Sequence, residues 1–426
     1  MKKFSTLGLI LSFTLVAAQN NDSDLTIDSS DSNIVNAAQA GFSNFVKIKA
    51  TNSSDQNFLY VGQSGNGNKS KLKLKSDANK NLVLIGQTGT KNKSELLLKK
   101  SNANEIVITQ KGYKNITEPS ITKGDKNAIF VAQRGTKNDA DPDILSGNSD
   151  RNTMVISQRG TKNDADPDIF SNSSKNTMVM SQRGTKNDAD PDIFSNANRN
   201  SIFIAQRGTK NDADPDIFSN SNKNTIVISQ RGTKNDADPD IFTDDSNENE
   251  IYIAQKGYMN DADPDLRGGQ NTVIISQKGS KNDADPDILG NPSYKNLVVV
   301  SQRGFKNDAD PDIWSGGSDR NAIYVAQKGL KNVTDVYLNN DSDRNTISIS
   351  QVGRENFVDV NYDVSNRNTS TISQKGHANE SKINLMMSSL NSTHVLQMGA
   401  EHLSNVSLSS ANMNSINVLQ SGNYLY

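Results

Sequence analysis

Cysteine is absent from the 426-residue chain. Its absence excludes disulfide staples, thiolate metal centres and cysteine nucleophiles. Apolar residues are scarce, at 33%, and aromatic residues make up 6%. A chain this polar is either disordered or built from repeats that each bury only a few side chains. Charge of one sign is also missing: 46 basic residues face 48 acidic ones. No global field therefore draws the chain to nucleic acid or to a membrane surface. The three histidines, His377, His394 and His402, lack the H-E-x-x-H spacing of a zinc site.

Long hydrophobic runs are missing too, so no integral membrane segment is expected. The longest is "LGLILSFTLV", which follows Lys2 and Lys3 and precedes Val16-Ala17-Ala18. A basic start, a short apolar run and small residues at its end read as an export signal, removed on secretion. This assigns residues 1–18 to a signal peptide and 33–426 to repeats, with an Asn/Asp/Ser-rich stretch, 19–32, between them.

What the chain does have is a period. The triplet Q-x-G occurs 17 times, from Gln39 to Gln420, at spacings of 22–25 residues. Each glutamine has an asparagine six residues earlier, from Asn33 to Asn414, and the first 15 have another five residues later. The unit is N-x5-Q-x-G-x-x-N followed by a second extended run. Within it the period is two: in "NTMVISQ" Asn152, Met154, Ile156 and Gln158 share one face. Each unit reads as strand, tight turn, strand, loop, which cannot be stable alone. The expected fold is all-β, a β-solenoid of about 16.5 stacked turns with amyloid-like cross-β spacing.

Buried amides are costly unless hydrogen-bonded, and identical amides in register bond to one another as ladders. The candidate ladder residues are Asn152, Gln158, Gly160, Asn163, Asn176, Gln182, Gly184, Asn187, Asn200, Gln206, Asn224 and Gln230. Ladders also penalise a slip of register, because a displaced amide would face Ile or Leu.

The repeat resembles the curlin repeat of curli subunits, the bacterial functional amyloids, commonly S-x5-Q-x-G-x-G-N-x-A with a closing Gln. The likeness runs from Asn33 to the C-terminus. Asn replaces the leading Ser, and Ile169, Ile193 or Leu98 stands where the closing Gln would be. The resemblance implies a secreted, extracellular fibre subunit of the biofilm matrix and cell surface, a homopolymer. It also implies a secretion channel, a nucleator and chaperone proteins as partners, and residues 19–32 look similar to the disordered leader that addresses such subunits to export. Short loops and the same chemistry in every turn argue against an enzyme. The expected polymer interface is Asn33 and Gln39 at the first turn, and Asn414, Gln420, Tyr424 and Tyr426 in the last half-turn. There, unpaired strand edges would template a second copy.

Eight consecutive units, over residues 127–313, carry N-D-A-D-P-D as the second run. Alternation points Asn163, Ala165, Pro167 and Ile169 inward and three aspartates outward. Proline removes a ladder hydrogen bond, so this run is broken, bowed or stacked as a proline column. Asp164, Asp166, Asp168, Asp188, Asp190, Asp192, Asp212, Asp214 and Asp216 would stand about 5 Å apart between turns. Such crowding opposes ionisation and fits either a charged gatekeeper against premature aggregation or a Ca²⁺-binding face. No cofactor is required. The calcium reading gives the alternative, a non-polymerising β-solenoid adhesin at the cell surface. Aligned cations such as Lys111, Arg134, Arg159, Lys256 and Arg303 form a row suited to anionic polysaccharide or extracellular DNA.

Overall fold

A computed structural model describes residues 10–27, 32–51, 53–145, 147–242, 246–290, 293–314 and 317–422, with the backbone alone for 10–19. Every regular element among them is a β-strand, and every strand pairing is parallel, as in the expected β-solenoid. The chain divides into two compact units, residues 1–210 and 211–426.

In the first unit, nine-residue strands such as Thr153–Thr161 and Thr177–Thr185 stack in register, Gln158 on Gln182 and Gly160 on Gly184. Their inward residues Met154, Ile156 and Gln158 are buried. The corner after each strand explains the glycine of Q-x-G. Gly160 has φ of 136°, and a Cβ there would lie 1.8 Å from the carbonyl oxygen of Gly184. Only a residue without Cβ lets adjacent turns approach so closely. Lys162 and Lys175, which precede the two asparagines, are left-handed as well, at φ of 54° and 62°. Each such lysine costs about 1–2 kcal/mol of local strain, which the asparagine ladders offset.

The first turn begins earlier than the repeat pattern implies. Strand β1 (Ile10–Gln19) lies beside β3 (Ile34–Phe42), and β2 (Asp22–Thr26) lies beside β4 (Phe45–Lys49). Residues 22–26, expected within a disordered leader, therefore form a strand. The physical reason is alternation: Asn21, Ser23 and Leu25 take the positions of Asn44, Val46 and Ile48. The Asn44 N–H donates to Asn21 Oδ1 at 2.9 Å.

The central second runs settle the proline question in favour of a stacked column. Pro142, Pro167 and Pro191 all point inward and are buried. The ladder survives around them: Asp164 N–H donates to Asn187 O and Asp166 N–H to Ala189 O. Regular pairing shortens there to two residues, such as Asp168–Ile169 on Asp192–Ile193. Proline carbonyls still accept, as Pro191 O does from Asp168 N–H, so each turn loses only the proline's own donor.

The second unit repeats this plan. Its second runs lengthen after the last proline into seven-residue strands, Val333–Asn339, Phe357–Asp363, Glu380–Met386 and Leu403–Ser409. The last described strand, Ser415–Ser421, pairs with Ser392–Ala400. Tyr424 and Tyr426 lie outside the described residues.

Candidate assembly site: amide ladders and the acidic face

Each glutamine is held by the strand period on the inner face. Its Nε2 donates to Oε1 of the glutamine one turn later. In the first unit Gln158 donates to Gln182 at 2.9 Å and Gln182 to Gln206 at 3.0 Å. In the second unit Gln230 donates to Gln255 at 3.0 Å, and the series runs to Gln397 donating to Gln420 at 2.8 Å. The same Nε2 group crosses the core to the facing sheet. Gln158 donates to Asp139 O at 2.5 Å and Gln420 to Leu403 O at 2.7 Å.

The asparagine ladders run the other way. The Asn163 and Asn187 Nδ2 groups donate backward, to Asn138 and Asn163 Oδ1, both at 3.1 Å. At the opposite corner the backbone N–H groups of Asn176 and Asn200 donate to Asn152 and Asn176 Oδ1 at 2.9 and 2.8 Å. Asn249 does the same to Asn224 at 2.9 Å. Each amide oxygen thus faces one way, asparagine Oδ1 toward the following turn and glutamine Oε1 toward the preceding one. A stack so built has direction.

The core stops short at Ser415–Ser421. Ile416, Val418 and Gln420 are half-exposed there, whereas their counterparts Thr393, Val395 and Gln397 are buried. Asn414 donates backward to Asn391 Oδ1 at 3.0 Å, its own Oδ1 facing onward. At the other end Asn33 is buried and Gln39 half-exposed.

The DADPD aspartates line the outer face of the second-run sheet. Asp164 also has a local duty that the repeat pattern did not suggest. Its Oδ1 accepts from Ala165 N–H at 3.1 Å, and the equivalent Asp139 serves Ala140 at 3.0 Å. An aspartate immediately before a small inward residue is the signal to look for. Asp168, Asp192 and Asp216 are half-buried, while Asp164, Asp166, Asp188, Asp190, Asp212 and Asp214 are more exposed.

Burial, then the negative charge of Asp166 and Asp190, pushes the Asp168 carboxyl up to about 7. Burial and Asp168 push Asp143 up to about 8. Burial with Asp216 and Asp238 does the same to Asp240, and burial with Asp287 and Asp240 to Asp265, both to about 8. Asp164 and Asp166 are raised for the same reasons. Among the described residues, neither these two nor Asp168 forms an ion pair with the exposed Arg159 row, which lies on the other sheet. Nor, among those residues, are three acidic or histidine side chains gathered as a metal cage. His377 instead meets Glu355 at 3.1 Å, and His402 fills the last asparagine position, its N–H donating to Asn379 Oδ1.

Compared with known proteins, the chain matches no protein-family model and no curated sequence. Its reading rests on its own geometry.

Proposed function

We propose that the chain is a secreted structural subunit that stacks end to end into curli-like extracellular fibres for the biofilm matrix and surface adhesion. One observation carries this reading. Ser415–Ser421 presents inward-facing Ile416, Val418 and Gln420 half-exposed, beside an asparagine acceptor aimed away from the stack. A strand edge in that state is a template for another strand of the same pattern. The repeated, direction-bearing amides favour the same sequence as its partner. The uniform chemistry of the turns supports a structural role over catalysis.

Electron microscopy and fibre diffraction of the purified protein test the proposal. Unbranched fibres with reflections near 4.7 and 10 Å are expected. A chain that stays monomeric at every salt, pH and calcium concentration refutes it.

The crowded carboxyls favour a second reading, a calcium-loaded adhesin that does not polymerise. Isothermal titration separates it: saturable Ca²⁺ heat from a monomer supports the adhesin, and its absence removes it.

A further inference from the structure

The second unit ends on half a turn, and removal of residues 1–18 as a signal peptide would leave the first unit beginning on half a turn. At one end β2, a second-run strand, lies on β4, and the first-run position above β3 is filled by β1. At the other, Ser415–Ser421 is a first-run strand, and no second run accompanies it among the described residues. We propose that two copies meet by a lap joint: Ser415–Ser421 of one copy replaces β1 on β3 of the next, and β2 of that next copy lies on Leu403–Ser409. The two half-turns then complete one turn shared between molecules. This rests on the end-to-end reading and specifies its interface.

The hydrogen-bonding atoms match. Inside the stack, a glutamine donates to the hydroxyl at position two of its own turn's second run and to the next glutamine. Gln110 does so to Thr117 Oγ1 at 3.0 Å and Gln133 Oε1 at 2.9 Å, and Thr117 in turn donates to Gln133 at 2.9 Å. At the N-terminal end half of this triad is present: Ser23 Oγ donates to Gln39 Oε1 at 3.0 Å. The missing member is a glutamine beside Ser23. In the lap joint Gln420 of the preceding copy stands there, its Nε2 side facing onward as in every earlier turn. Asn414 Oδ1 likewise faces the Asn33 position.

Strand β1 supplies neither group. Leu15 sits in register with Gln39, and the β1–β3 register slips between Val16 and Ala18. The Ser415–Ser421 strand carries the amide and an unslipped seven-residue register with its neighbour. A further sign lies at the corner. Asn21 Nδ2 is buried without a hydrogen-bond partner, whereas Asn68 and Asn92 donate backward through this atom. In the joint the preceding copy's corner, at His402, faces it.

The native chain has no cysteine, so engineered thiols read the joint directly. Ala38 and Leu419 share the fifth position after Asn33 and Asn414, and Asp24 and Asn405 the third after Asn21 and His402. Adjacent parallel strands place such Cα atoms about 4.8 Å apart, within disulfide reach. Single-cysteine full chains of two tag sizes are mixed during assembly, A38C with L419C and D24C with N405C, then oxidised mildly. Both mixtures should give mixed-size disulfide dimers as the dominant product. The A38C–L419C link should form at least tenfold faster in chains that begin at Gln19, where β1 need not leave.

Fibres that link A38C to L419C but not D24C to N405C overturn the shared turn while leaving end-to-end stacking intact. Fibres giving neither link, or only A38C–A38C dimers, overturn the joint altogether. If no fibres form under any condition, the proposed function fails first and the joint with it.

Discussion

Replacing Gln277 by leucine is the sharpest test of what holds the stack. Gln277 is 1% exposed; it accepts from Gln255 at 3.0 Å, and donates to Gln302 Oε1 at 3.0 Å and to Asp261 O at 2.5 Å. Leucine has nearly the same volume and removes all three bonds, each worth about 1 kcal/mol net. It also deprives the buried Gln302 Oε1 of its glutamine donor, at about 1–3 kcal/mol. Against this, burying leucine in place of an amide returns about 1–2 kcal/mol. The balance is a loss of about 3 kcal/mol, roughly a hundredfold in local opening. Long repeat arrays do not unfold all at once, so the assay is native-state hydrogen exchange of the 272–280 strand and its two neighbours. The control is Ile275→Val, two residues earlier on the same face and equally buried, which should cost about 1 kcal/mol. If apolar packing held the turns, leucine at 277 would be neutral or stabilising. Unchanged or raised protection in Q277L therefore refutes the ladder argument.

Gly184→Ala should be worse than any core truncation, because its Cβ would stand 1.8 Å from Gly208 O at φ of 138°; the loss of protection should centre on residues 177–209, and an alanine variant protected like the parent contradicts the corner geometry. Stability should also fall as pH rises. Asp143 and Asp168 have folded values of about 8 and 7 against an ordinary 3.8, so the folded state binds more protons between them. Their stabilising contribution is full below pH 4 and is lost as pH climbs through 7 to 8. Melting temperatures at pH 4.5, 6 and 8 should decline in that order, and the D143N/D168N variant should flatten the decline; a rise with pH reverses the sign and defeats the reading. Deleting residues 414–426 should slow fibre elongation at least tenfold, whereas deleting one central repeat, residues 176–199, should change it less than twofold, since identical turns contribute nearest-neighbour terms; seeded elongation rates decide.

Much of this was legible because the period of two and the period of 22–25 residues agree. Once Gln158 and Asn152 are placed on an inner face, stacking in register is the only arrangement that satisfies their amides. The inward Pro167 was not decidable, because a strand that loses a donor can bow outward or stack. What decides is the facing glutamine: Gln158 Nε2 serves Asp139 O, and Asp164 serves the neighbouring Ala165 N–H. With those groups satisfied from the side, the run stays in the stack. Strand β2 escaped because its repeat lacks a Q-x-G, although Asn21, Ser23 and Leu25 carried the alternation.

Ladder direction is set at a level that residue identity does not reach. A column of asparagines could point its carboxamides either way. The backbone chooses. After each left-handed residue the asparagine N–H, as in Asn163, is turned toward the preceding turn, where Asn138 Oδ1 receives it at 3.2 Å. That fixes Oδ1 on the onward side of the asparagine, while Nδ2 also reaches a carbonyl of the following turn, as Asn163 reaches Gly184 O at 3.3 Å. Glutamine is bound by a different demand. Its Nε2 must reach the second-run carbonyl of the turn before, as Gln302 reaches Asp283 O at 2.5 Å, and its second N–H then points onward to Gln327 at 3.0 Å. Two amide types with opposed polarity make one end of a stack unlike the other. Two C-terminal ends would set acceptor against acceptor at the asparagines and donor against donor at the glutamines, and two N-terminal ends the reverse, so the chemistry that stacks turns within a chain favours a second chain in one orientation.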